Sequence, residues 1–191
     1  MPEATGRQTP DAGRWTRAAV LALPDDGRRY ELISGELVVT PSPRGVHQVA
    51  VSALEALLRD ALGGTGAGHV LHSPADITLG EDEILQPDLF VYRTASGRHL
   101  LDWSDITSLM LVVEVLSPST AQYDRRLKRL RYQRADVPEY WIVDLDGRVV
   151  ERWRAEDTRP EIVTERLRWS PAEGVDLDLD VAAFFAEVWG E

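Results

Sequence analysis

"LVVEVLSPST", residues 111–120, constrains this chain more than any other stretch, because it sets one carboxylate, Glu114, inside an otherwise apolar run. Successive residues of a strand face opposite sides of the sheet, so a nearly continuous apolar run over residues 110–116 predicts a central strand covered on both faces. A bare carboxylate buried there costs several kcal/mol unless it is paired, protonated or bound to a cation. Glu114 needs a partner, and the rest of the chain must bring one.

The flanking pattern is that of a mixed sheet. Residues 15–23 read as a short helix closed by Pro24, and "YELISGELVVT" as two strands, 30–33 and 36–40, around Ser34-Gly35. In the first strand Glu31 alternates with Tyr30 and Leu32 and points away from them. From Val46 to Leu62 the apolar positions follow helical spacing, and Gly63-Gly64 stops the helix. Beyond the loop from Gly63 to Gly68, residues 70–79 and 84–92 are strand candidates joined at 80–83. After the central strand, Ser119 and Gln122 fit a capping box for a helix through Arg134. Strands from Tyr140, over 148–153 after Asp146-Gly147, and over 161–169 follow, and Asp180 caps a final helix ending near Trp189. This order predicts an α/β fold: a mixed central sheet flanked by helices, with an added C-terminal hairpin. The 191 residues fit one domain, 14–191, behind a flexible tail, 1–13.

Composition narrows the chemistry. Without cysteine there are no disulfides, thiolate nucleophiles or Cys-based metal sites, so oxygen or imidazole must hold any metal. No run is long and apolar enough to cross a bilayer, and the polar N-terminus resembles neither a signal peptide nor an anchor; a cytoplasmic protein with no membrane partner is expected. The net charge of −11 argues against broad attraction to nucleic acid. Yet residues 121–135 carry Arg125, Arg126, Lys128, Arg129, Arg131 and Arg134 against Asp124 alone. Lys128 is the chain's single lysine; the other 20 basic residues are Arg. Arg keeps its proton, whereas Lys is a compact, tunable point charge. If the chemistry needs an ammonium, Lys128 supplies it.

In "ILQPDLFVY" a second acid, Asp88, starts an apolar strand. If that strand neighbours the Glu114 strand, both carboxylates meet at one end of the sheet. They would form a site for a hard cation such as Mg²⁺, with the Val115 carbonyl as a third oxygen. Lys128 lies on the following helix with Asp124 and Tyr132 four residues to either side on the same face. Glu31, beside a hairpin turn, and His47, ahead of the helical stripe, read as solvated residues or as supporting members of the site. Arg125 and Arg129 are the candidate nucleic-acid contacts.

"YELISGELVV", His47, Pro87-Asp88, "VVEVLSPST" and "YDRRLKRLRYQRADVPEYWIVD" together resemble the Uma-two family of restriction-endonuclease-like proteins, within the PD-(D/E)xK nuclease superfamily. The resemblance spans residues 15–189. It implies a restriction-endonuclease-like fold and Mg²⁺-dependent hydrolysis of DNA, with Mn²⁺ able to substitute. Asp88 and Glu114 would hold the metal, Lys128 would stabilise the attacked phosphate or orient the water, and Glu31 would be a supporting acid. The superfamily motif places Lys two positions after the Glu, where this chain has Leu116; the resemblance to this family implies that the following helix supplies it, which matches Lys128. A homodimer is the superfamily's expectation.

Other readings compete. A nuclease-fold module could bind nucleic acid or a protein partner without cutting. Two carboxylates could hydrolyse a glycoside without metal, and Ser117 or Ser119 with Lys128 could form a nucleophile pair.

Overall fold

In the computed structural model the described residues are 13–24, 26–40, 42–80, 82–95, 100–117 and 121–191. The expected tail thus lies outside them except for Gly13, as does Ser119 of the capping box. Helix α1 (Arg17–Leu21), capped by the Thr16 side chain, leads into the hairpin β1 (Arg29–Ile33) and β2 (Glu36–Thr40). Helix α2 (Gly45–Leu62) follows, then β3 (His69–His72), β4 (Ile77–Gly80), β5 (Glu83–Leu85), β6 (Leu89–Thr94) and β7 (Ile106–Val115). Helix α3 (residues 121–134) has α-helical ends around a π-helical stretch, Asp124–Lys128. The chain then runs through β8 (Glu139–Asp144), β9 (Val149–Arg154), β10 (Glu161–Val163), β11 (Arg166–Ala172), β12 (Val175–Asp180) and helix α4 (Val181–Trp189).

The central sheet has the order β10-β9-β8-β7-β6-β3, with β7 and β8 parallel and its other pairs antiparallel. The apolar run became its inner strand: β7 is buried from Leu109 through Val115. Leu111, Val113 and Val115 face a core built with α2, α4 and the hairpin β11–β12. Val112 faces a second core with Tyr132, Tyr140, Ile33 and Leu85. By alternation Glu114 lies on the Val112 side, towards α3 and β1.

Two expected strands are each split between sheets. The span 70–79 breaks at Ser73-Pro74 and the span 84–92 at Pro87. Proline has no N–H to give a ladder and restricts the residue before it. The outer pieces, β4 and β5, join a smaller antiparallel sheet of order β2-β1-β5-β4, while β3 and β6 pair within the central sheet. The span 161–169 is likewise divided. β10 ends on the edge of the central sheet, and β11 forms a separate hairpin with β12, whose alternating "VDLDLD" keeps Val175, Leu177 and Leu179 inward. Asp180 does cap the last helix, accepting from the Ala183 N–H.

Trp141 on β8 is fully buried and meets Trp169 of β11 edge to face at 6.1 Å, tying the hairpin to the sheet. Trp141→Ala is expected to destabilise the protein by about 3–5 kcal/mol, the range for deleting a large core aromatic; urea unfolding followed by fluorescence measures it.

Candidate active site

The antiparallel register of β6 with β7 pairs Leu89 with Val113. Continued by one residue, it sets Asp88 opposite Glu114, so the end of one strand and the start of its neighbour bring the two acids together. Glu31 comes from the other sheet, on the same face of β1 as the core residue Ile33. Helix α3 closes the cluster. Lys128 Nζ lies 3.0 Å from Glu31 Oε1, 3.0 Å from Glu114 Oε1 and 3.4 Å from Asp124 Oδ1. The Tyr132 hydroxyl donates to Glu114 Oε1 at 3.5 Å, and the Tyr140 hydroxyl donates to the Asp124 carbonyl at 3.1 Å. The Arg129 N–H reaches back five residues to the Asp124 carbonyl, the wide turn that defines the π stretch.

Asp88 is held on both oxygens. Arg29 Nη1 donates to Oδ1 at 2.7 Å, His47 Nε2 lies 3.3 Å from the same atom, and the Val115 N–H donates to Oδ2 at 2.8 Å. The Gln86 N–H donates to Glu31 Oε1 at 2.8 Å. Glu31, His47, Asp88, Glu114, Asp124 and Lys128 are all buried. The solvated readings of Glu31 and of His47 are therefore corrected: the first is fully enclosed against Lys128, and the second turns inward from the first turn of α2 onto Asp88. Arg29 and Gln86 were not anticipated. Arg29 had a signal, since it stands two residues before Glu31 and so shares its face; the contribution of Gln86 to Glu31 is a backbone N–H, which leaves no trace in a sequence.

These contacts drive the acids apart in proton affinity. Burial pushes the Glu114 carboxyl up, Lys128 opposes it, and Asp88, Asp124 and Glu31 add to it, so the group sits well above the usual carboxylate range. Burial also raises Asp88, but the His47 hydrogen bond and the Arg29 charge outweigh it and hold that carboxyl well below. For Lys128 the desolvation that disfavours its charge is overcome by Glu114, Glu31 and Asp124, which keep the ammonium protonated. A lysine so held is no general base, which removes the activating partner of the serine–lysine reading. Strongly shifted groups packed at one place mark a candidate functional site.

The donor set fits a hard divalent cation held by two carboxylates, with water and phosphate completing the shell, as is usual for Mg²⁺. Glu31 Oε2, buried and without a hydrogen bond, is a further oxygen of the right chemistry. An all-protein cage does not fit: among the described residues no three His, Asp or Glu side chains converge on one metal position.

The model of the Uma2 family, described as "Putative restriction endonuclease", matches residues 17–182. The chain belongs to this family. The fold agrees with the crystal structure of "a putative nuclease belonging to DUF820" from Anabaena variabilis, to which the chain is similar with a TM-score of 0.75 and 20% identity over 91% of this chain and 98% of that one. No curated protein matches. Among the described residues no helix is long and apolar enough to cross a membrane.

In this Uma2 chain the basic helix is largely neutralised from within. Arg125 pairs with Asp144 at 2.8 Å and Glu151 at 2.7 Å, Arg131 with Glu83 at 2.8 Å, and Arg129 stacks over Trp153 at 4.5 Å while donating to Gln133. Arg125 and Arg129, expected to meet nucleic acid, are thus engaged internally. Arg126 and Arg134 are exposed and form no ion pair among the described residues.

Lys128→Met leaves Glu31, Glu114 and Asp124 buried without their cation, and a loss of about 3–5 kcal/mol in urea unfolding at neutral pH is expected, the cost of breaking a buried pair. Asp88 gives a pH signature. Its folded-state value is depressed, so its stabilisation is present above the ordinary carboxylate range near ~4 and is lost as pH falls through and below that range. The stability gap between wild type and Asp88→Asn is expected to narrow on acidification; thermal melts from pH 7 to 2 with a constant gap would refute this.

Proposed function

We propose that this protein is a metal-dependent endonuclease that hydrolyses DNA phosphodiester bonds. The reading is carried by one observation: Asp88 and Glu114, from adjacent antiparallel strands, meet at one end of the central sheet beside a buried lysine. Membership of the Uma2 family supports it. Asp88 and Glu114 would hold Mg²⁺, with Mn²⁺ as a substitute. When bound, the ion would lower the pKa of water and offset charge developing on the phosphorus.

The chain's own groups prepare that site. Arg29, His47 and the Val115 N–H fix the orientation of Asp88 and keep it ionised. Lys128 positions Glu114, Glu31 and Asp124 around one point, and Tyr132 adds a hydroxyl to Glu114 from the same helix face. One such site cuts one strand, so cleavage of both strands goes with a homodimer. The non-cutting module is the second reading, and the burial of Asp88, Glu114 and Lys128 favours it, because a phosphate has little direct access to these groups.

Plasmid nicking and metal calorimetry on the same samples decide between them. Wild type is expected to bind and nick with Mg²⁺, and Asp88→Ala and Glu114→Ala to lose at least about 100-fold in nicking, the upper end of what losing a mere outer-shell partner costs. Full activity in either variant sinks the nuclease reading, and DNA binding by a wild type that never nicks supports the module.

A further inference from the structure

Among the described charged side chains that contact Asp88, Glu114 or Lys128, Arg29 is the most exposed. Arg29 is 19% exposed, while Glu31, Asp88, Glu114, Asp124, Lys128 and His47 are at 8% or less. A phosphodiester approaching these acids meets Arg29 first.

The hydrogen-bond inventory separates the two cations. An ammonium has three N–H donors, and Lys128 faces three carboxylates at 3.0, 3.0 and 3.4 Å. It is buried among these acids and offers a substrate no exposed donor. A guanidinium has five N–H donors in a fixed fork. Arg29 uses only Nη1, to Asp88 Oδ1 at 2.7 Å and to the Gln86 carbonyl at 3.3 Å. Its Nε and Nη2 make no hydrogen bond among the described residues, and neither is a buried atom lacking a partner. That edge carries two parallel donors not engaged by the described residues on a partly exposed side chain, the geometry that takes two oxygens of one phosphate. The charge balance gives the edge a task. Four acids, Glu31, Asp88, Glu114 and Asp124, surround Lys128 and Arg29, and this excess repels a phosphate that lacks a cation to receive it.

We infer that Arg29 is the phosphate-contacting residue of the site: with Nη1 kept on Asp88, its Nε–Nη2 edge binds two oxygens of a phosphodiester, and Lys128 acts on the acids alone. This rests on the nuclease reading above.

The test is anisotropy of a short duplex oligonucleotide in Ca²⁺ at a series of NaCl concentrations. It uses wild type, Arg29→Gln and Arg29→Lys, with kcat and KM for nicking in Mg²⁺ and thermal melts to confirm folding. Arg29→Gln is expected to weaken binding about tenfold or more, as for a lost charged hydrogen bond. It also lowers the slope of log K on log salt by about 0.9, one phosphate contact. Arg29→Lys keeps the slope but loses affinity with the two-donor edge, and KM rises in both. Wild-type affinity and slope in Arg29→Gln overturn the inference even if kcat falls, since Arg29 would then only clamp Asp88. Should Arg29→Gln fail to fold, unchanged affinity in Arg29→Lys overturns it instead. A wild type that binds through Arg29 but never nicks upholds the inference and sinks the nuclease reading; one that does not bind the duplex sinks both.

Discussion

One buried ammonium facing three carboxylates is the interaction on which the rest of this structure depends. Glu31 arrives from the smaller sheet, Glu114 from the middle of the central sheet and Asp124 from the helix that also carries Lys128. The contact therefore pins three layers to one atom. Buried ion pairs rarely repay their desolvation, and a well-packed apolar substitute is often as stable. The fold's stability must come from elsewhere, from a sheet whose inner strand is covered on both faces. That contrast gives the cluster its meaning: the two-faced core tolerates a charged centre that contributes little net stability, and such centres concentrate where proteins do chemistry.

The same logic changes the electrostatics of the surface. Counted along the sequence, the helix after β7 is the one basic island on an acidic chain. In three dimensions Arg125, Arg131 and Lys128 are spent on acids from β8, β9, β5, β1 and β7, so the island shrinks to a few exposed guanidiniums. Any attraction of a polyanion to so acidic a protein then has to be local.

Much of the fold was legible because its signals are local. Continuous apolarity identified β7, the stripe from Val46 identified α2, and Asp180 marked the start of α4. The division of residues 70–79 and 84–92 between two sheets was less legible: proline marks where a strand stops, but not which sheet each half joins, which depends on partners distant in sequence. The "VDLDLD" alternation of β12 is likewise a local strand signal. The π stretch left no pattern in the sequence, because helical period and residue type do not distinguish an i to i+5 turn from an α-helical one.

The sequence by itself determined that a carboxylate lay in a buried strand, that Asp88 could stand beside it, and that one lysine existed to meet it. Residue type and strand or helix period suffice for that, since both act over a few residues. Only the tertiary structure decided how the charged groups are partnered: that Lys128 is enclosed by three acids, that Glu31 and His47 point inward, and that Arg29 alone of the cluster's contacts is partly exposed. The number of partners around a charged group is a property of the space where separate segments converge, and no single segment contains it.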